Sequence, residues 1–287
     1  MQCTASLASQ SSNSYILHMK MMRQTQRLNG CTRRLFSGLL IQLALFCVGG
    51  RAQGSAGTDA LLETRALVDL PTAGMLAQRT LALDINFFQK GSVLANFSVG
   101  IFNRFLVGVS YGGTSVIGSE TPSSNPRPGF VIKIRVIDES VILPAIALGF
   151  DSQGKELFVD SLDRNAIKPL GIYAVGSKNY QLLGYLSIHG GINYSNEQGD
   201  GNKNLNYFVG AEKTVGPFAS VALEYNFNVN DEFRAVQGNS GGYLNAGVRL
   251  AIGNGFTLGF NFKDIVKNQQ LLSVSSRTMQ IEYVKAF

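Results

Sequence analysis

After residue 52 this 287-residue chain keeps one histidine, His189, in "IHGGINYSN", with Ser195 and Asn196 a few positions further on. A hydroxyl, an imidazole and an amide are the parts of a serine hydrolase, in which the imidazole takes the proton from the hydroxyl as it attacks an acyl carbon. The spacing argues against that assembly. In an alternating segment His189 shares its face with Ser187 and Asn193, whereas Ser195 and Asn196 begin the polar stretch that follows. A structural histidine on a polar face is the better reading, and a lipid-active, phospholipase-like enzyme is the alternative. "NEQGDGNKN" offers Glu197 and Asp200 as oxygen ligands, but calcium takes six or more, so the segment reads as a solvated loop. The glycine-rich "SYGGTSVIG" does not lie between a strand and a helix, as a phosphate cradle would. Cys3, Cys31 and Cys47 all precede residue 52, which leaves no thiol nucleophile or thiolate metal site in the remainder. No catalytic set, cofactor or metal is implied.

The charged residues are more informative by their placement. Asp84, Lys133, Arg135, Glu212, Glu224, Arg249, Lys263 and Glu282 each stand in a segment of two-residue alternation, on the face opposite the large apolar side chains. In "ALEYNF" Leu223, Tyr225 and Phe227 share one side while Ala222, Glu224 and Asn226 share the other. "AGVRLAI" and "GFTLGFNFK" repeat the arrangement around Arg249, Asn261 and Lys263. These eight charges, four of each sign, are expected to meet as ion pairs across an interior that Tyr185 and Phe208 narrow further.

The elements that must carry them are strands. From Leu81 onward no helical period persists, and alternation recurs in 12 segments, the last being "MQIEYVKAF" at residues 279 to 287. The chain is 45% hydrophobic and only 15% charged, with 32 Gly and no Trp. A soluble sandwich would need a surface denser in charge than that, since soluble domains average about 25% charged residues. A membrane barrel inverts the faces, apolar toward lipid and polar toward the lumen. Connection lengths support the barrel. Short turns, such as Asn103-Arg104, Asp138 to Ser140 and Ser177 to Tyr180, alternate with polar loops such as Gly112 to Pro128, Asp151 to Pro169 and Ser195 to Asn204. One rim is trimmed and the other elaborated, as in bacterial outer-membrane barrels. The expected fold is an all-β, antiparallel, up-and-down transmembrane barrel of about 12 strands over residues 80–287.

The formal +6 has a local origin. Lys20, Arg23, Arg27, Arg33, Arg34 and Arg51 lie in a first stretch of 52 residues without an acid, and the 19 basic residues that remain match 19 acidic ones. The body is neutral, and nucleic acid is excluded as a partner. The basic start is followed by the apolar run Leu35 to Val48 and the small residues Gly50 and Ala52, the layout of a secretory signal peptide. Residues 1–52 are therefore expected to be a signal peptide with an extended n-region. Residues 53–79, including "LPTAGML", would be a periplasmic segment, either a linker or a plug.

Two resemblances extend this reading. Tyr283 and the terminal Phe287, with Met279 and Ile281 on the same face, resemble the C-terminal signal by which the barrel assembly machinery of Gram-negative outer membranes recognises its substrates; Lys285 departs from that pattern. "RALVDLPTAGML", "RPGFVIKIRVIDESVILPAIALGF", "GIYAVGSKNYQ" and "FVGAEKTVG" resemble the YjbH-type family of outer-membrane barrels. That resemblance implies residence in the cell outer membrane, contact with its lipid, and a non-enzymatic role linked to exopolysaccharide or envelope proteins. The expected function is structural, docking or narrow-passage, with a small-solute porin as a further alternative.

Overall fold

The computed structural model describes residues 54–231, 241–269 and 276–287, together the body of the chain. The expected signal peptide, residues 1–52, lies outside these residues. Twelve strands form the framework: β1 Thr80–Phe87, β2 Val93–Ile101, β3 Phe105–Thr114, β4 Gly129–Ile137, β5 Ala145–Asp151, β6 Gly171–Gln181, β7 Tyr185–Tyr194, β8 Asn206–Val215, β9 Ala219–Asn226, β10 Tyr243–Gly253, β11 Phe256–Lys263 and β12 Ser276–Ala286. Each pairs antiparallel with its sequence neighbours, and β1 pairs with β12 from Thr80↔Ala286 to Phe87↔Met279. That last pairing closes the sheet into an up-and-down barrel and leaves no open edge.

Alternation decides the faces. Along β9, Ser220, Ala222 and Glu224 are buried while Val221 and Leu223 are exposed; along β3, Leu106 and Ser110 are buried while Phe105, Val107, Val109 and Tyr111 are exposed. Large apolar side chains stand outward around the circumference, among them Phe97, Phe130, Ile132, Leu148, Ile172 and Val209. Exposed aromatic residues gather toward the two ends of the strands, with Tyr111, Tyr194 and Tyr207 at the long-loop rim and Phe105, Phe218 and Phe256 at the short-turn rim. A continuous apolar belt between aromatic girdles is the exterior of a membrane-embedded barrel. The chain crosses with strands; among the described residues no helix is long and apolar enough to do so.

Two connections differ from the sequence reading. Ser177 to Tyr180 form no turn: they remain in the β6–β7 ladder, with Ser187↔Asn179 and His189↔Ser177, and the chain reverses at Leu182 to Gly184. Leu183 and Gly184 take positive φ there, 45° and 97°. Ser177 and Asn179 are polar because they face the interior, and that polarity imitates a turn. Likewise β5 begins at Ala145, so Ile142 to Pro144 belong to a longer connection on the short-turn rim. The β5–β6 loop also carries a small hairpin, Lys155–Val159 paired with Arg164–Ile167.

Candidate functional site

Many of the charged side chains converge in the lumen, and the chain preceding β1 fills it. Residues 54–77 enter at the short-turn rim, where Thr58 N–H donates to Gly216 O (3.0 Å) and Ser55 N–H to Thr257 Oγ1 (3.2 Å). They ascend, reverse in a tight turn closed by Leu67 N–H to Leu70 O (2.9 Å) and an Ala66↔Pro71 bridge, and descend to Arg79, whose N–H meets Gly100 O (3.2 Å). The apolar side chains of this inserted hairpin are buried. Leu70 and Ala73 pack with Tyr173, Val175 and Phe208, and Met75 and Leu76 pack with Ala82, Leu106 and Val284. Gly100 permits the close approach, because a Cβ there would stand 2.2 Å from Ala77 O.

An inserted backbone brings polar groups that water no longer satisfies, and the inward charges supply their partners. Glu224, 1% exposed, accepts the N–H groups of Val68 (2.9 Å), Asp69 (2.9 Å) and Leu70 (3.0 Å) at the tip, and Asn245 Nδ2 (2.8 Å). Lys133 Nζ donates to the carbonyls of Arg65 (3.3 Å), Thr72 (3.2 Å) and Gly74 (2.7 Å). Arg249 donates to the carbonyls of Ala66 and Leu67, and Arg135 to Ala73 O (2.9 Å) and to Glu63. Asp84 holds Arg65 at 3.0 and 2.6 Å, and Glu282 lies 3.4 Å from the same guanidinium. Lys263 bridges Asp69 (2.9 Å) and Glu156 (3.0 Å). Glu212 accepts from Ser220 Oγ (2.6 Å).

The sequence reading paired these eight charges with one another across the bore. The structure instead gives most of them to the inserted hairpin, because a main chain in the lumen presents more donors and acceptors than the opposing wall. Tyr283 and Phe287 stand outside: Tyr283 rests against Phe256, ring centroids 4.4 Å apart, and Phe287 N–H donates to Arg79 O (2.9 Å) with its ring exposed.

The long-loop rim is closed by a second device, built from residues whose spacing in the chain does not show it. Arg164, in the small hairpin of the β5–β6 loop, is fully buried and forks onto Asp231 at 2.7 and 2.9 Å, with Asp200 at 2.7 Å. Burial alone would lower its pKa, and the two carboxylates outweigh it and raise it. Lys168 meets Asp200 at 2.6 Å, and Lys155 reaches inward to Asp69 at 3.0 Å, joining this lid to the tip of the inserted hairpin. Glu197 accepts from Asn165 N–H (2.8 Å) and Nδ2 (2.7 Å), and burial pushes its carboxyl up. Glu197 and Asp200 therefore sit in a buried network and not in a solvated loop. Among the described residues no group of three or more metal-ligating side chains occurs.

The hydrolase-like set is not assembled. Ser195 lies six residues along from His189, about 20 Å at strand rise, and its Oγ accepts from Glu197 N–H (3.2 Å). The hydroxyl beside His189 is Ser177, with Oγ 2.8 Å from Nδ1, a pairing set by cross-strand register and invisible in sequence spacing.

No family model and no curated protein matches this chain. Among solved structures it is similar to the outer membrane protein Omp33 of Acinetobacter baumannii, at 11% identity and TM-score 0.40, covering 72% of this chain and 97% of that one. It is also similar to a chain from "Unveiling the Mechanism Behind the in-meso Crystallization of Membrane Proteins", at 10% identity and TM-score 0.37 over 72% and 84%. A third likeness, from "De novo design of transmembrane beta-barrels", has 9% identity and TM-score 0.20 over 74% and 99%. The fold rests on the strand register and the two faces described above.

Proposed function

We propose that the protein is an outer-membrane barrel kept closed by its own N-terminal segment, with a structural or docking role, or a narrow passage that opens only when that segment moves. The observation that carries this reading is the ring of inward side chains on β1, β4, β6, β9, β10 and β12 that bind residues 55–75. A link to exopolysaccharide or envelope assembly, in the manner of YjbH-type barrels, is part of the proposal and is supported by the motifs "LPTAGML" and "GIYAVGSKNYQ". Outer-membrane residence is supported by the apolar belt.

Single-channel recording in planar bilayers tests the closed lumen. The wild type should be silent or show only small, brief events, and a variant lacking residues 55–77 should conduct steadily. Large, steady, weakly selective conductance by the wild type would replace this reading with a general porin. Membrane fractionation with heat-modifiable gel migration tests the location, and recovery in the soluble periplasm would end it.

A further inference from the structure

A cavity of about 300 Å³ lies between the inserted segment and the β6–β8 wall, toward the short-turn rim. Tyr185, about half exposed, stands at its outer end, and Glu212, His189, Ser187, Asn179 and Glu63 are among its walls. Two of these side chains are buried without the partner their chemistry calls for. Glu212 is 7% exposed and accepts one hydroxyl, from Ser220, yet among the described residues no cation stands within 4.0 Å of it. The salt bridges of the barrel go to other acids, and Arg135, also lining the cavity, is engaged by Glu63 and Ala73 O. A buried carboxylate with no counter-charge is costly, and the cost falls when a cation arrives.

His189 is 6% exposed, and its Nε2 has no hydrogen-bond partner. Ser177 Oγ accepts from Ala73 N–H (2.8 Å) and stands 2.8 Å from His189 Nδ1, and we assign the Ser177 hydrogen to that contact. A neutral ring accepting at Nδ1 carries its hydrogen on Nε2. The unpaired group is therefore a donor. The cross-strand pairs Ser187↔Glu212 and His189↔Gly210 place Glu212 and His189 diagonally on adjacent strands, about 7–8 Å apart.

We infer that this cavity is a binding site for a small ligand that carries an ammonium group for Glu212 and, a few bonds away, an oxygen acceptor for His189 Nε2–H. Glu63 on the inserted segment, Glu139 on the β4–β5 connection and Glu212 on β8 all line the cavity and disfavour anions. A neutral polyol would satisfy His189 and leave the charge of Glu212 uncompensated. The ligand enters from the short-turn side, and the site rests on the closed-barrel reading because the inserted segment supplies one of its walls; conductance tests that reading, and probe binding by a silent barrel tests the site.

Saturation-transfer NMR on the full-length barrel in detergent tests the inference, with four probes: glycinamide, ethylammonium, acetamide and acetate, and glycerol as a fifth. Glycinamide should bind most tightly, ethylammonium less so, and acetate not at all. Glu212→Gln should weaken glycinamide about tenfold or more, the loss of one charge-assisted hydrogen bond. His189→Phe should bring glycinamide down to the level of ethylammonium and leave ethylammonium unchanged. Heat-modifiable migration identifies variants that keep the barrel, and the probe ranking in the wild type stands without them. Acetate, acetamide or glycerol binding as tightly as glycinamide, no glycinamide binding at all, or indifference to Glu212→Gln in a folded barrel would each overturn the site.

Discussion

Replacing Glu224 by alanine takes from the inserted hairpin the acceptor of its tip. The carboxylate receives three consecutive backbone N–H groups, from Val68, Asp69 and Leu70, and one side-chain amide, from Asn245. Hydrogen bonds to a charged group are each worth about 1.5–3 kcal/mol net, but they are not additive here, because water entering the space re-satisfies some donors. The partners are neutral, so no charge is stranded, and leaving buried donors without their acceptor costs about 1–3 kcal/mol, which is the better guide. Asp69 keeps its ion pairs with Lys155 and Lys263, and Arg249 keeps the carbonyls of Ala66 and Leu67, so the tip loses one of its three anchors. At about 1.4 kcal/mol per power of ten, the withdrawn state should rise by roughly one to two powers of ten. Limited proteolysis of the N-terminal segment in reconstituted barrels reads this population, and bilayer recording reads its consequence as new openings. Glu63→Ala is the control, since that carboxylate is 53% exposed and an exposed pair is worth about 0–1 kcal/mol. A folded Glu224→Ala barrel as protected and as silent as the wild type would refute the reasoning.

Asp231→Asn should loosen the long-loop lid, because Arg164 is fully buried on it; a loss of about 3–5 kcal/mol should appear as early cleavage near residues 155–167 while the barrel persists, and an unchanged cleavage pattern would count against a stabilising clamp. Burial holds Lys168 below its usual 10.5, with Asp200 opposing. Just below pH 10.5 the folded loops therefore bind fewer protons than unfolded ones, and this group adds stability as pH rises toward that value. The protection of wild type relative to Lys168→Met should grow with pH there, and a flat difference would contradict it. Deleting Phe287 should slow assembly and leave a protease-sensitive periplasmic species, while Lys285→Leu does no harm; normal assembly of the deletion would remove the terminal ring as a recognition signal.

The strand content, the strand number and the two faces could be read along the chain, because in a barrel each strand states its own environment: Leu223 faces lipid and Glu224 the lumen whatever the neighbouring strands are. The closed interior could not. "RALVDLPTAGML" has neither a strong strand pattern nor a helical one, and its order comes from Glu224, Lys133 and Arg249, which lie 59 to 183 residues further along the chain. The same distance hid the partners of the inward charges. Opposite signs at alternating positions suggested mutual ion pairs, whereas a backbone hairpin between them offered more acceptors and donors at shorter range. Ser177 beside His189, and Arg164 with Asp231, arise from cross-strand register and from loops meeting above the rim. Alternation within a strand is local chemistry and is written in the sequence; which strands, loops and inserted segments meet inside the closed wall is set by three-dimensional packing, and only the tertiary structure decided it.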